Sequence, residues 1–187
     1  MIHSTRFTCV LDTCVIYPID IRDLLLWFAH FDLYRPKWSQ TIFDELHKVM
    51  IEKGMPIEKV NKQIERINAA FPDAMVNNYE ELITTLSLPD KKDCHVLAAA
   101  IKSDANLIVT NNLKDFDTEY LSKFGLYAKN ADDFITDTID LNTKVAKEAF
   151  MTMVAHRTNP SLDEYQVLDI LRNRGLVSSA NYLHSLI

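Results

Sequence analysis

Short apolar runs alternating with helical stretches constrain this chain more than any other feature. Residues 7–11 (FTCVL) and 107–110 (LIVT) are compact, largely apolar segments with no polar face. A strand that is apolar on both sides belongs in a sheet covered on both faces. Strands of this kind set between helices indicate an α/β fold with a mostly parallel sheet. Further short strands are expected at 33–35, ending before Pro36, at 74–76 and at 126–128. Helices are expected at 21–31, with Leu24, Leu25, Phe28 and Ala29 on one face, at 39–50 behind Ser39 as N-cap, and at 56–70. Another runs from Asp93 to residue 101, and a short one begins at 132–136.

Four acids stand where such a sheet delivers side chains to one edge. Asp12 ends the first strand, at the carboxyl end where parallel sheets bind ligands, and a charge straight after a buried strand is costly unless exposed or paired. Its plainer reading is a turn cap. Glu45 lies at the edge of the apolar stripe Ile42, Phe43, Leu46, Val49 and Met50, while Asp44 points nearly opposite. Its plainer reading is a solvated edge residue. Asp93 opens the helix containing Ala98-Ala99-Ala100, and the helix dipole there favours its ionised form. The competing reading makes Asp90 an N-cap and Asp93 the acid of a capping pair, with Asp90 a weaker candidate ligand. Asp115 follows the strand at 107–110 by a short loop, with Thr110 and Asn112 between as supporting polar groups and Phe116 as the loop's anchor. Turn chemistry also accounts for an aspartate there, and Asp117 competes for the role. Carboxylates gathered from separate elements suit a hard divalent cation such as Mg²⁺ or Mn²⁺, and hydrolytic or phosphoryl-transfer chemistry. His47 and His95 each follow an acid by two positions, without the i, i+4 partner of a helical metal pair, and are read as non-catalytic.

The chain has 187 residues, enough for one domain and an appendage. We divide it into residues 1–137 and a helical extension, 138–187. In the extension, helices are expected at 140–154, from the capping-box pattern Ser161-Leu162-Asp163-Glu164 to Gly175, and at 178–186, with Asn159-Pro160 as a break. The net charge of −6 lies in the first part, which carries 15 basic and 21 acidic residues; the extension carries five of each. That balance favours helices packed on the main domain over a DNA-binding helix-turn-helix. A broadly basic nucleic-acid surface is absent, so a local rim would have to guide phosphates, with Arg22, Lys37, Lys91, Lys92 and Lys114 as candidates. The plainer reading of each is solvated surface charge.

No apolar run approaches the roughly 20 residues that span a bilayer. The N-terminus lacks a signal-peptide pattern, so a cytoplasmic protein is expected. Cys9, Cys14 and Cys94 have neither disulfide nor zinc spacing and are expected to be reduced thiols. There is no glycine-rich phosphate loop and no nucleophile elbow.

The segments Val10-Leu11-Asp12-Thr13, Glu45, Asp93 with Ala98-Ala99-Ala100, and Val109-Thr110-Asn111-Asn112 with Asp115-Phe116 resemble the PIN-domain family. The stretches Tyr17-Pro18 with Arg22-Asp23-Leu24-Leu25-Leu26, Ala70-Phe71-Pro72-Asp73-Ala74, and residues 88–100 are similar to a VapC-like toxin branch with a C-terminal helical extension. The resemblance covers residues 6–137 closely and the tail loosely. It implies a three-layer α/β/α fold and a ribonuclease dependent on Mg²⁺ or Mn²⁺, with Asp12, Glu45, Asp93 and Asp115 as metal ligands. It also implies an RNA substrate, a cognate antitoxin and often a homodimer. Many members carry an acid where this chain has Asn112, which implies a greater share for Asp115 or a weak second metal. A structure-selective DNA nuclease and a non-catalytic binding module on the same fold are the alternatives, since fold does not fix substrate.

Overall fold

A computed structural model describes residues 7–187. In chain order the elements are β1 (Thr8–Leu11), α1 (Thr13–Ile16), α2 (Ile19–His30), β2 (Arg35–Ser39), α3 (Gln40–Glu52), α4 (Ile57–Ala70), β3 (Met75–Val76) and α5 (Glu80–Ile83). A 3-10 turn, Lys91–Asp93, then leads into α6 (Cys94–Lys102) and β4 (Leu107–Val109). A second such turn, Leu113–Asp115, precedes α7 (Thr118–Ser122) and β5 (Tyr127–Lys129). Four helices complete the chain: α8 (Ala131–Leu141), α9 (Thr143–His156), α10 (Glu164–Asn173) and α11 (Val177–Leu186).

The five strands form one sheet in the order β3-β2-β1-β4-β5, every pair parallel. This is the α/β/α class that the alternation of apolar strands and helices implies. Cys9, Val10, Leu11, Ile108 and Val109 are wholly buried, as strands covered on both faces require. Each buried aliphatic side chain of this kind contributes about 1.5–3 kcal/mol. The alanines of α6 are wholly buried too, and that small-residue surface lets the helix lie close across β2, β1 and β4.

β2 corrects the expected strand at 33–35. Leu33 and Tyr34 precede it, and Pro36 lies inside it, opposite Cys9. The geometry tolerates the proline. Pro36 and Trp38 point their backbone nitrogens to the same side, and Trp38 N–H donates to Ala74 O at 3.1 Å. β3 pairs only with Trp38 and Ser39, so the nitrogen of Pro36 faces a stretch where the neighbouring strand has not begun.

Helix ends follow local chemistry. Ser39 caps α3, accepting from Ile42 N–H at 3.3 Å. Gly54 and Gly175 take φ +89° and +90° just past α3 and α10, a conformation that only glycine adopts without strain. The capping box of α10 sits two residues beyond the expected Ser161 start. Asp163 accepts from Gln166 N–H at 2.8 Å, and Gln166 accepts in return from Asp163 N–H at 3.0 Å. Ser161 instead bridges to Thr158, which takes it out of the helix.

Contacts divide the molecule into two compact units. One comprises residues 7–17 and 35–129 and holds the whole sheet. The other includes residues 18–34 and 130–187. Within it α2 packs on α9 and α10, and α11 packs on α8, α9 and α10. The expected α2 face, Leu24, Leu25, Phe28 and Ala29, is buried, and Tyr34 donates to Leu25 O while meeting the Phe134 ring edge-on. No helix among the described residues is long and apolar enough to cross a membrane.

Candidate active site

The sheet order reverses direction at β1 and β4, the position where open parallel sheets form a crevice beyond their carboxyl ends. Asp12 occupies that position. Its N–H donates to Val109 O at 3.0 Å, extending the β1–β4 ladder by one residue, and its side chain is buried. Thr110, wholly buried at the end of β4, donates from Oγ1 to Asp12 Oδ2 at 2.7 Å. The Cys14 thiol donates to the same oxygen at 3.1 Å.

A hydrogen-bond chain leads from there to two more acids. Asn112 N–H donates to Thr110 Oγ1 at 3.0 Å. Its side-chain amide donates to Asp93 Oδ2 at 3.2 Å and also to Asp115 Oδ2. Asn112 therefore bridges a helix start to the loop after β4. Phe116 is buried and pins that loop. Asp117 is spent on capping α7, accepting from Tyr120 N–H at 2.8 Å. Asp90 likewise caps the turn before α6, accepting from Lys92 N–H at 2.9 Å.

Glu45 joins from α3. Its Oε2 accepts from Thr13 Oγ1 at 2.6 Å, and its Oε1 pairs with His95 Nε2 at 3.1 Å. Thr13 adjoins Asp12 and His95 follows Asp93 by two, so Glu45 is tied to both arms of the site. Asp12, Asp93 and Asp115 thus share one hydrogen-bonded network, and Glu45 belongs to a second set that adjoins it through the chain neighbours Thr13 and His95, both within the sheet-bearing unit. Asp44 is exposed and accepts from Gln40.

The electrostatics reflect crowded negative charge. Asp93 is pushed up to about 6 by burial and by the charges of Asp12, Asp90 and Asp115, with His95 partly opposing them. Burial acts to raise Glu45 as well, but hydrogen bonds from His95 and Thr13 outweigh it and hold the carboxyl below its usual range. The Cys14 thiol is pushed up to about 12, by burial first and by Asp12 second, so it stays protonated and is no nucleophile at neutral pH.

As the side chains stand, no group of three or more His, Cys, Asp or Glu among the described residues forms a site able to hold a metal ion directly. The acids are engaged by hydroxyl, amide and imidazole donors instead. The oxygen donors and the unrelieved charge around Asp93 suit a hydrated hard ion, which keeps several waters and takes one or two carboxylates.

The expected cationic rim separates into three kinds of residue. Lys91, Lys92 and Lys114 are exposed beside Asp93 and Asp115 in the chain. Lys37 donates to Asp73 O. Arg22 is only 6% exposed on α2, beside Asp23, a place for internal charge compensation rather than an open phosphate contact. Thr13 and Cys14 are site neighbours that residue spacing did not mark, and His95, read as non-catalytic for want of an i, i+4 partner, is a third. Their partners lie up to 97 residues away, and only the Cys14–Asp12 contact is local.

Comparison with known proteins gives two family matches, the PIN domain over residues 8–114 and the VapC50 C-terminal domain over residues 131–185. A protein of Mycobacterium tuberculosis (strain ATCC 25618 / H37Rv), named "Putative ribonuclease VapC50", is 36% identical over 98 residues. That match spans 52% of this chain and 57% of the relative. No solved structure matches the chain.

Proposed function

The chain belongs to the PIN-domain family, in a VapC-like branch with a C-terminal extension, and from that premise we propose that it is a metal-dependent endoribonuclease. In this reading it is the toxin half of a toxin–antitoxin pair, restrained by a cognate antitoxin protein and able to form a homodimer. The observation that carries the reading is the hydrogen-bonded set at the β1–β4 edge, where Thr110 and Asn112 link Asp12, Asp93 and Asp115 from separate elements. The name of the mycobacterial relative supports RNA as the substrate.

Asp12, Glu45, Asp93 and Asp115 would hold Mg²⁺ or Mn²⁺. When bound, such an ion supplies Lewis-acid chemistry at phosphate and activates water for hydrolysis. The chain's own residues prepare the rest. Thr110 and Asn112 fix the orientation of Asp12, Asp93 and Asp115 through directed hydrogen bonds. Lys92 and Lys114, exposed next to two of the acids, draw the phosphate backbone toward an otherwise acidic edge. Lys37 is a weaker contributor, since its ammonium already serves Asp73 O. No side-chain nucleophile is required, in keeping with the protonated Cys14.

Purified protein should cleave single-stranded RNA only with Mg²⁺ or Mn²⁺ present, and EDTA should stop it. Either ion should also raise the thermal midpoint, because it binds the folded state alone. The gain is about 2.7 kcal/mol at a concentration one hundred times Kd. Asp44→Asn should leave both responses unchanged. Cleavage of single-stranded DNA in preference to RNA would reassign the substrate. A midpoint and an RNA pool both indifferent to metal would leave a non-catalytic module.

A further inference from the structure

We propose that His95 is a positioning residue, gripping the Glu45 carboxylate jointly with Thr13 so that Glu45 faces the acidic edge in one fixed orientation. The inference rests on the metal-nuclease reading above and assigns His95 a task within it.

Three elements meet at this contact. Thr13 comes from α1, Glu45 from α3 and His95 from the first turn of α6. Each carboxylate oxygen receives its own donor, Oε2 from Thr13 at 2.6 Å and Oε1 from His95 at 3.1 Å. A carboxylate has only lone pairs to offer, so His95 Nε2 carries the proton in this bond. Glu45 is long, and its side chain is 42% exposed; without these donors it would sample several rotamers. Two donors from different elements remove that freedom. Each oxygen retains a second lone pair for an ion or its water shell.

Packing alone does not account for a histidine at this position. The residue is only 6% exposed, and Nδ1 is buried with no hydrogen-bond partner. An unsatisfied buried polar atom is a cost that an apolar side chain of the same shape would avoid. The ring's Nε2 contact with Glu45 is what it gains in return. Partners of this kind, one step removed from a metal, set the orientation of the ligands that touch it.

The test uses the full chain with His95→Phe, which keeps a buried ring without the donor, and His95→Gln, whose side-chain amide nitrogen reaches nearly as far as Nε2. Thermal midpoints are measured across a Mn²⁺ titration, together with kcat and KM for RNA cleavage. In His95→Phe the metal-free midpoint should stay at or above wild type. The Mn²⁺ concentration giving half the midpoint shift should rise about 10- to 100-fold. kcat should fall while KM for RNA holds, and His95→Gln should recover most of both losses. If Phe matches wild type in its Mn²⁺ response, the inference is overturned while the nuclease reading stands. If Phe and Gln lose the response equally and both melt lower without metal, His95 is a packing residue and the inference is likewise overturned. A wild-type chain indifferent to Mn²⁺ overturns both.

Discussion

Asp93→Asn is expected to make the metal-free protein more stable at neutral pH while removing RNA cleavage. The carboxyl is pushed up to about 6 by burial and by Asp12, Asp90 and Asp115. The folded chain therefore binds that proton more tightly than the unfolded chain does. Where the folded state holds more protons, stability falls as pH rises. The penalty develops between about 4 and about 6 and is complete above that window. Asparagine cannot ionise, so it removes the penalty and still accepts the hydrogen bond from Asn112. Asp93 is only partly buried, so solvent screening reduces the gain to the order of 1 kcal/mol. That corresponds to roughly 2–4 °C in a domain of this size. The difference between variant and wild type should shrink as pH is lowered from 7 to 4 in EDTA. Activity should drop by at least about a hundredfold, the upper range for losing a partner one step from the metal and so a floor for a ligand. Asp12→Asn should lose activity comparably. An Asp93→Asn protein that is less stable in EDTA, or that retains cleavage, would contradict the shared-charge account of this edge.

Asp93 also marks how far the sequence could be read. Placement after a buried strand singled out Asp12, and the desolvation argument behind it is local. The same holds for Asp115, because Phe116 had to turn inward; Asp117 competed for the role until the structure showed it capping α7. Glu45 was legible as an edge residue of its helix, but its partners were not: His95 lies 50 residues further on and belongs to another helix. Asn112 was legible as a polar neighbour, yet its bridge between Asp93 and Asp115 depends on how the loop after β4 meets α6. Parallel sheets make such contacts only through long crossovers, so periodicity is blind to them. Two local readings failed. Pro36 suggested a strand end, and only the short reach of β3 explains why it lies inside β2. Ser161 matched the capping-box pattern, but Asp163 matched it better once the Thr158–Ser161 bridge had removed Ser161 from the helix.

Asp20→Ala is expected to destabilise the protein more than any surface ion-pair variant. Asp20 sits in the first turn of α2 and is nearly buried, with its side chain 10% exposed. Its two oxygens accept from Arg157 Nη1 at 3.1 Å and from Arg174 Nε at 3.0 Å. Arg157, 15% exposed at the end of α9, also reaches Asp23 Oδ2 at 3.2 Å, while its Nε is buried without a partner. The network ties α2 to helices more than 130 residues away in sequence. Forming such a pair stabilises little, because both charges must leave water. Removing one partner is different, since it strands the other charge in a poorly solvated place at about 3–5 kcal/mol. Asp23 remains to Arg157, so the lower end applies, about 3 kcal/mol. The midpoint should fall by roughly 6–12 °C. Asp169→Ala is the control: that carboxylate is 71% exposed and pairs with Arg172 within one helix, where exposed pairs are worth under about 1 kcal/mol. Removing both charges with Asp20→Leu and Arg157→Met should recover much of the loss, because no stranded guanidinium is left at the end of α9. If Asp20→Ala melts no lower than Asp169→Ala, the network is surface decoration, and apolar packing among α2, α9 and α10 alone holds that unit together.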